Sequence, residues 1–173
     1  MLYYFFGFLL ILLDFPITLG YGGTLNAIPD FLGYGLLLLA TRRYGQENEH
    51  FRRLRLGAYI TLPLSVAEFA LDLSALVLPT VATLAIGVVM TVASLYITYE
   101  FSEGAKALER SLYKKFDADK ISAAWIILCM ASLLKYLAIY MPSVLLPCTL
   151  VHLLAIVWFE SAVFHFERKR AKG

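Results

Sequence analysis

The sequence predicts an all-α integral membrane protein: one bundle over residues 1–173, with six transmembrane helices in three hairpins and both termini in the cytoplasm. The 173 residues are 60% hydrophobic and 16% charged, and the mean hydropathy is +0.72. A soluble domain has about 45–50% apolar and about 25% charged residues. Six apolar runs and a one-sided distribution of basic residues complete the prediction. With this composition we expect neither a soluble catalytic domain nor a nucleic-acid-binding module.

The six apolar runs are each close to the about 20 residues that cross a bilayer core. They cover residues 2–20, 28–44, 56–78, 80–101, 121–141 and 143–166. No Lys or Arg precedes the first run, which therefore lacks the basic region of a signal peptide and is expected to be retained. The second run is the shortest, and Gly33 and Gly35 lower its helix propensity. One arm of a re-entrant hairpin is the alternative for that run. Asp30 near its start is favoured there by the helix dipole.

Basic residues predict the orientation. Fourteen of the fifteen Lys and Arg residues lie in alternate connections or at the C-terminal end, all on one side of the predicted membrane. They are Arg42, Arg43, Arg52, Arg53, Arg55, Lys106, Arg110, Lys114, Lys115, Lys120, Arg168, Lys169, Arg170 and Lys172. Basic loops stay in the cytoplasm, so we expect cytoplasmic termini. The small size of the chain and the small share of polar residues outside the apolar runs suggest a bacterial-type plasma (inner) membrane.

Residues 102–120, between the fourth and fifth spans, have an amphipathic pattern. Phe101, Leu108, Leu112 and Phe116 fall near helical spacing, with charged residues between them. This pattern predicts a helical continuation of the fourth span near the lipid headgroups. It either anchors the bundle or offers a docking surface to a membrane or cytoplasmic protein partner. Residues 45–50 are polar and are predicted to form an exposed loop.

Five ionisable residues from four spans are predicted to share one layer in the outer half of the membrane. At about 1.5 Å per residue, they lie about 9–15 Å along their spans from the outer ends. They are Asp14, Glu68, Asp72, Lys135 and His152. Exposing a charged side chain to lipid costs at least about 2.5–3.5 kcal/mol. We therefore expect these groups to converge on an interior site between spans one, three, five and six.

The charges of this layer indicate the ligand. Three carboxylates against one ammonium and one imidazole favour a small cationic or zwitterionic solute, bound or transported, with proton coupling as a further expectation. Lys135 would take the carboxylate of a zwitterion, or form a structural ion pair with Asp72 or Asp14. Tyr136 is a candidate for substrate binding through its hydroxyl or its ring. No cofactor is expected.

The fourth span has a stripe of small or hydroxylated residues at steps of three and four. Its members are Thr80, Thr83, Gly87, Thr91, Ser94 and Thr98. Small residues at this spacing let helices approach closely in lipid. The stripe is therefore predicted to be a packing seam.

Two other functions stay open. A non-transporting membrane subunit, an assembly, immunity or signalling partner, would use the seam and residues 102–120. A small intramembrane enzyme would use Asp14, Asp72, His152 or Cys148. A cysteine in an apolar helix is usually inert packing, and the sequence has no HExxH metal motif. We therefore expect no metal site and favour a protein that is not an enzyme.

In its predicted architecture the chain is similar to the small six-span substrate-binding subunits of energy-coupling-factor vitamin importers. The size, the even number of spans and the inside termini carry this resemblance over the whole chain. The first span lacks the alanine-spaced face that those subunits use to meet their transmembrane partner. The resemblance is one of architecture and implies a solute-binding role without assigning a family.

Overall fold

Six helices and one short hairpin make up the described part of the chain. The computed structural model describes residues 2–13, 16–18, 24–26, 29–44, 48–74, 79–137 and 141–172. The elements are α1 (Tyr3–Leu12), β1 (Pro16–Thr18), β2 (Thr24–Asn26), α2 (Asp30–Tyr44), α3 (Glu49–Leu73), α4 (Thr80–Leu112), α5 (Ala118–Leu137), a 3-10 turn (Pro142–Val144) and α6 (Leu145–Lys172). The helical class and the number of helices agree with the prediction.

Three of the described helices are long and apolar enough to cross a membrane. They are Glu49–Leu73, Val81–Leu112 and Leu145–Ala171. Helices α1 and α2 have 10 and 15 residues, fewer than the about 20 that a bilayer core requires. The lengths of α3, α4 and α6 therefore suggest a membrane protein, whereas six full crossings stay a prediction.

The first apolar run is not one continuous helix, which corrects the predicted span over residues 2–20. Its helical part ends at Leu12, and Pro16–Thr18 pairs antiparallel with Thr24–Asn26, with Ile17 opposite Leu25. Proline has no backbone N–H to donate. Pro16 at the start of a strand fits this constraint.

The third helix begins earlier than predicted. The side chain of Asn48 accepts a hydrogen bond from the backbone N–H of Phe51 at 3.0 Å and so caps α3, whose first residue is Glu49. Residues 49 and 50 therefore belong to a helix, and the predicted exposed loop is wrong at these two positions. Residues 45–47 of that loop lie outside the described residues. An Asn cap supplies an acceptor to one of the four N–H groups that a helix start leaves without a partner.

The fourth helix continues beyond the predicted span as far as Leu112, and Tyr113 follows in the left-handed conformation at φ 52°. Along this continuation Phe101, Leu108 and Phe116 are buried inside the bundle. Leu112 and Tyr113 are exposed. Most of the apolar face that was predicted as an anchor or docking surface is thus covered by the protein's own core.

The helices form a closed ring in chain order. Each helix packs against the next, and α6 returns to pack against α1. The closest approach of α1 and α2 is at two glycines: a Cβ built on Gly33 would lie 2.6 Å from the carbonyl oxygen of Gly7. Buried aromatic rings of Tyr4, Phe8 and Phe101 pack together inside the ring.

Contacts between distant segments bring the basic connections to one end of the bundle. The side-chain amide of Asn48 donates to the carbonyl of Gly104 at 2.9 Å, which joins the start of α3 to α4. Asp117, between α4 and α5, accepts a hydrogen bond from Lys169 of α6. The C-terminal part of α6 also reaches the start of α1 through Glu167. We call this the basic end.

Candidate functional site

A polar cavity of about 190 Å³ lies inside the ring of helices, and we call it the central cavity. All six helices contribute to its wall. The lining residues are Ile11, Leu12, Asp30, Tyr34, Glu68, Gly87, Met90, Thr91, Ser94, Ser132, Lys135, Tyr136 and His152. Convergence of ionisable groups on an interior space avoids the cost of exposing them to lipid.

Four of the six predicted site residues line this cavity. They are Glu68 from α3, Lys135 and Tyr136 from α5, and His152 from α6. Asp72 is not among the described lining residues, although it follows Glu68 by one helical turn on α3. Asp14 lies outside the described residues. The predicted site residues at the cavity thus come from three of the four spans that were expected to meet, and the fourth, α1, lines the cavity through Ile11 and Leu12.

Three residues of the polar stripe of α4 form part of the cavity wall, a role that the sequence did not predict for them. Gly87, Thr91 and Ser94 line the cavity. The Thr91 Oγ1 and Tyr136 Oη atoms are 2.7 Å apart and share a hydrogen bond. A Cβ on Gly87 would lie 3.7 Å from the same Tyr136 hydroxyl. The small residues therefore leave room for polar side chains of α5 as well as for helix packing.

Residues of α2 belong to the site and were not predicted to do so. Asp30, in the first turn of α2, and the buried Tyr34 line the cavity. Asp30 was attributed to the helix dipole. Tyr34 was one of five tyrosines that could contribute a hydroxyl or a ring, but α2 was not among the helices expected to form the site. The i, i+4 spacing of Asp30 and Tyr34 places both on one face of the helix, a signal that could have indicated a shared site.

Ser132 and His152 form a hydrogen-bonded pair in the cavity wall. The Ser132 Oγ lies 3.2 Å from the His152 Nε2 and 2.9 Å from the carbonyl oxygen of Leu128. A serine hydroxyl has one hydrogen and two acceptor sites. Donation to Leu128 with acceptance from the His152 N–H satisfies all three groups. In this arrangement the serine hydroxyl positions the imidazole ring.

The charge and size of the cavity restrict what it can hold. Asp30 and Glu68 oppose Lys135, so the described lining has a formal excess of one negative charge when His152 is counted as neutral. At about 30 Å³ per water molecule, 190 Å³ holds roughly six water-sized groups. Pockets for drug-sized ligands are larger, at about 300–1,000 Å³. The cavity is suited to a small cation or zwitterion.

Among the described residues, three buried carboxylates are absent from the cavity lining, and none of them was predicted as a site residue. Glu100 is 2% exposed and lies 2.8 Å from the Nδ1 atom of His50. Glu167 bonds to the backbone of α1. Both carboxylate oxygens of Glu160 are buried without a hydrogen-bond partner in the described part of the chain. Each is a carboxylate within or beside an apolar run, the same signal that selected Glu68 and Asp72.

Sites for metals or thiol chemistry find little support in the structure. Within the described residues, no group of three or more His, Cys, Asp or Glu side chains could hold a metal ion. Cys148 is a half-buried free thiol and does not line the cavity, whereas His152 does. Of the four residues named for an intramembrane enzyme, His152 is therefore the one that the described lining of the cavity contains.

No protein-family model, no curated protein and no solved structure matches the chain.

Proposed function

We propose that the protein binds a small cationic or zwitterionic solute in the central cavity and transports it across the membrane. The observation that carries this proposal is the convergence of Glu68, Lys135, Tyr136 and His152 on one interior space. The excess of acidic groups favours a positive charge on the ligand. Lys135 is the partner for the carboxylate of a zwitterion, and an acidic residue is the partner for its ammonium group.

Proton coupling is part of this proposal. Glu68 and His152 line the same cavity, and both side-chain types gain or lose protons in proteins. Arrival of a cationic ligand at a carboxylate favours release of a proton from that site. Uptake of the solute into proteoliposomes should therefore respond to an imposed pH gradient, and this response should disappear in Glu68→Gln.

Calorimetric titration of the protein in lipid nanodiscs tests the proposed binding site. Ethylamine is the cationic probe and acetate is the anionic one. We expect ethylamine to bind and acetate not to bind. Hydrogen bonds to charged groups are worth about 1.5–3 kcal/mol, so Glu68→Gln should weaken ethylamine binding about 10- to 100-fold.

Asp72→Asn provides the matched control for this titration. It removes a carboxylate from the same helix but not from the described lining of the cavity. Its ethylamine affinity should stay near that of the unchanged protein. Equal losses in Glu68→Gln and Asp72→Asn, preferential binding of acetate, or no binding of ethylamine would contradict the proposal. Native mass spectrometry in mild detergent would identify a co-purified solute by the same comparison.

The proposed setting is a plasma (inner) membrane in which all six helices lie, with both termini in the cytoplasm. The joining of the basic connections at one end supports this orientation, because basic loops remain cytoplasmic.

Tyr113 marks the basic end and is 97% exposed, and Met141 precedes α6 in the connection from α5 and is 63% exposed. In a background with Cys129 and Cys148 replaced by Ala, a membrane-impermeant maleimide should label Met141→Cys in intact cells. Tyr113→Cys should react only after permeabilisation, and the reverse pattern would invert the topology.

A further inference from the structure

The outer surface of the α3–α4 interface carries an apolar groove of about 280 Å³, which we call the lateral groove. Its lining residues are Leu64, Ala67, Glu68, Leu71, Ala85, Ile86, Val89 and Met90. Glu68 is the one ionisable member of this set. Leu64 and Val89 are 47% and 54% exposed, so the groove opens to the exterior of the bundle.

The lateral groove and the central cavity share part of their walls. Glu68 from α3 and Met90 from α4 line both spaces. The cavity is lined by polar and apolar residues of all six helices, whereas the groove is apolar and lies between two of them. The cavity thus offers polar surroundings to a charged group, and the groove offers apolar surroundings to a hydrocarbon chain. Glu68 and Met90 contribute to both.

We propose that the ligand is an amphiphile, whose cationic head occupies the central cavity and whose alkyl chain leaves between α3 and α4 along the lateral groove. This inference rests on the proposed function and specifies its substrate class. Because Glu68 lies at the boundary, the ligand's positive charge is next to the root of its alkyl chain, as in a long-chain alkylammonium. At about 30 Å³ per water-sized group, the groove holds roughly nine such groups, enough for a medium-length chain.

Photoaffinity labelling in lipid nanodiscs tests this assignment. The probes are decylamine and decanol, each with a diazirine at the end of the chain. We expect the amine probe to label residues 64–71 and 85–89 at least about tenfold more than the alcohol probe, because one charge pair is worth about one factor of ten or more. Glu68→Gln should lower labelling by the amine to the level of the alcohol, whereas Asp72→Asn should not.

Filling the groove gives a second, independent test. Ala85 is exposed and lines the groove, so Ala85→Phe should reduce labelling by the amine probe at least about tenfold, since each methylene excluded from the groove loses burial. Ala123, an exposed alanine of α5 outside the groove lining, supplies the control variant Ala123→Phe. The affinity for ethylamine should be unchanged in both variants.

The outcomes separate this inference from the proposed function. If ethylamine binds but the two long-chain probes label the groove equally and independently of Glu68, the groove holds membrane lipid chains and the inference is overturned. If ethylamine does not bind either, the proposed function fails as well. Labelling by decylamine that depends on both Glu68 and Ala85 supports the amphiphile.

Discussion

The carboxylate of Glu167, near the end of α6, accepts a hydrogen bond from the backbone N–H of Phe5 at 3.1 Å in the first turn of α1. A second bond, from the N–H of Tyr4, measures 3.4 Å. The side chain of Leu2, the N-cap residue of α1, forms no capping hydrogen bond. A negative charge at a helix N-terminus satisfies unpaired N–H groups and matches the helix dipole. The last helix therefore caps the first and closes the ring.

Removal of this cap should destabilise the fold. Loss of a helix N-cap costs about 0.5–2 kcal/mol, so Glu167→Ala should lower the free energy of unfolding by about 1 kcal/mol or more. Glu167→Gln keeps an acceptor oxygen and should cost less. Thermal unfolding in nanodiscs measures both. Glu103→Ala is the control, because it breaks only a helical i, i+3 ion pair with Lys106, worth about 0.2–0.5 kcal/mol. An equal loss in Glu167→Ala and Glu103→Ala would argue against the cap.

Alanine substitutions at two glycines of α2 should have opposite effects. A Cβ at Gly33 would lie 2.6 Å from both the Gly7 carbonyl oxygen and the Ile11 Cγ1 atom, whereas a Cβ at Gly35 meets nothing within 4 Å. Overpacking costs about 1–3 kcal/mol, so Gly33→Ala should lower Tm. Gly35→Ala should leave Tm unchanged or raise it, because alanine is the better helix former. Similar Tm values for the two variants would contradict the close approach of α1 and α2.

A larger side chain at Gly87 should block the central cavity without unfolding the protein. Gly87 lines the cavity, and its nearest side-chain neighbour would be the Tyr136 hydroxyl at 3.7 Å, an ordinary contact distance. Gly87→Leu should reduce ethylamine affinity by at least about tenfold, since the added carbons occupy the ligand volume. Gly35→Leu, which adds the same atoms in open space, should bind normally. Undiminished binding by Gly87→Leu would place the ligand elsewhere.

The connection between α4 and α5 should contribute a stability term that depends on pH. A hydrogen bond from Lys169, together with one from Lys120 at 3.2 Å, holds the pKa of Asp117 below its usual value. A carboxylate with a lowered pKa in the folded state stabilises above its unfolded pKa of about 3.9, and this contribution is lost as the pH falls through the folded-state pKa. Asp117→Asn should therefore lower Tm at neutral pH and match the unchanged protein in strong acid.

Asparagine is a suitable replacement at this position for a conformational reason. Asp117 has a φ of 65°, and asparagine tolerates the left-handed region better than most residues. The substitution thus removes the charge while keeping the backbone. Tm measured from neutral to acidic pH in both proteins, with Asp119→Asn as the nearby control, gives the comparison. A Tm difference that persists unchanged into strong acid would show that the ion pairs are not its source.

The helical class, the number of helices and four residues of the central cavity could be predicted from the sequence alone. Apolar composition requires helices with internally satisfied backbone groups, and ionisable residues in apolar runs avoid lipid. These two rules depend on composition and spacing alone. They were sufficient to select Glu68, Lys135 and His152, and Tyr136 was added for its hydroxyl or ring. These four residues come from three different helices.

The helix faces that meet in the bundle could not be predicted, because they depend on packing between segments that are distant in sequence. Asp30 and Tyr34 join the cavity, Asp72 is absent from its described lining, and the α4 stripe forms part of the wall. Glu68 and Asp72 lie on one face of α3, so they differ in depth, by about 6 Å for four residues. Counting residues from estimated span ends could not separate two groups one helical turn apart. The cap that Glu167 provides joins residues 162 positions apart. Such pairings depend on the closure of the ring, because only packing brings α6 back to α1.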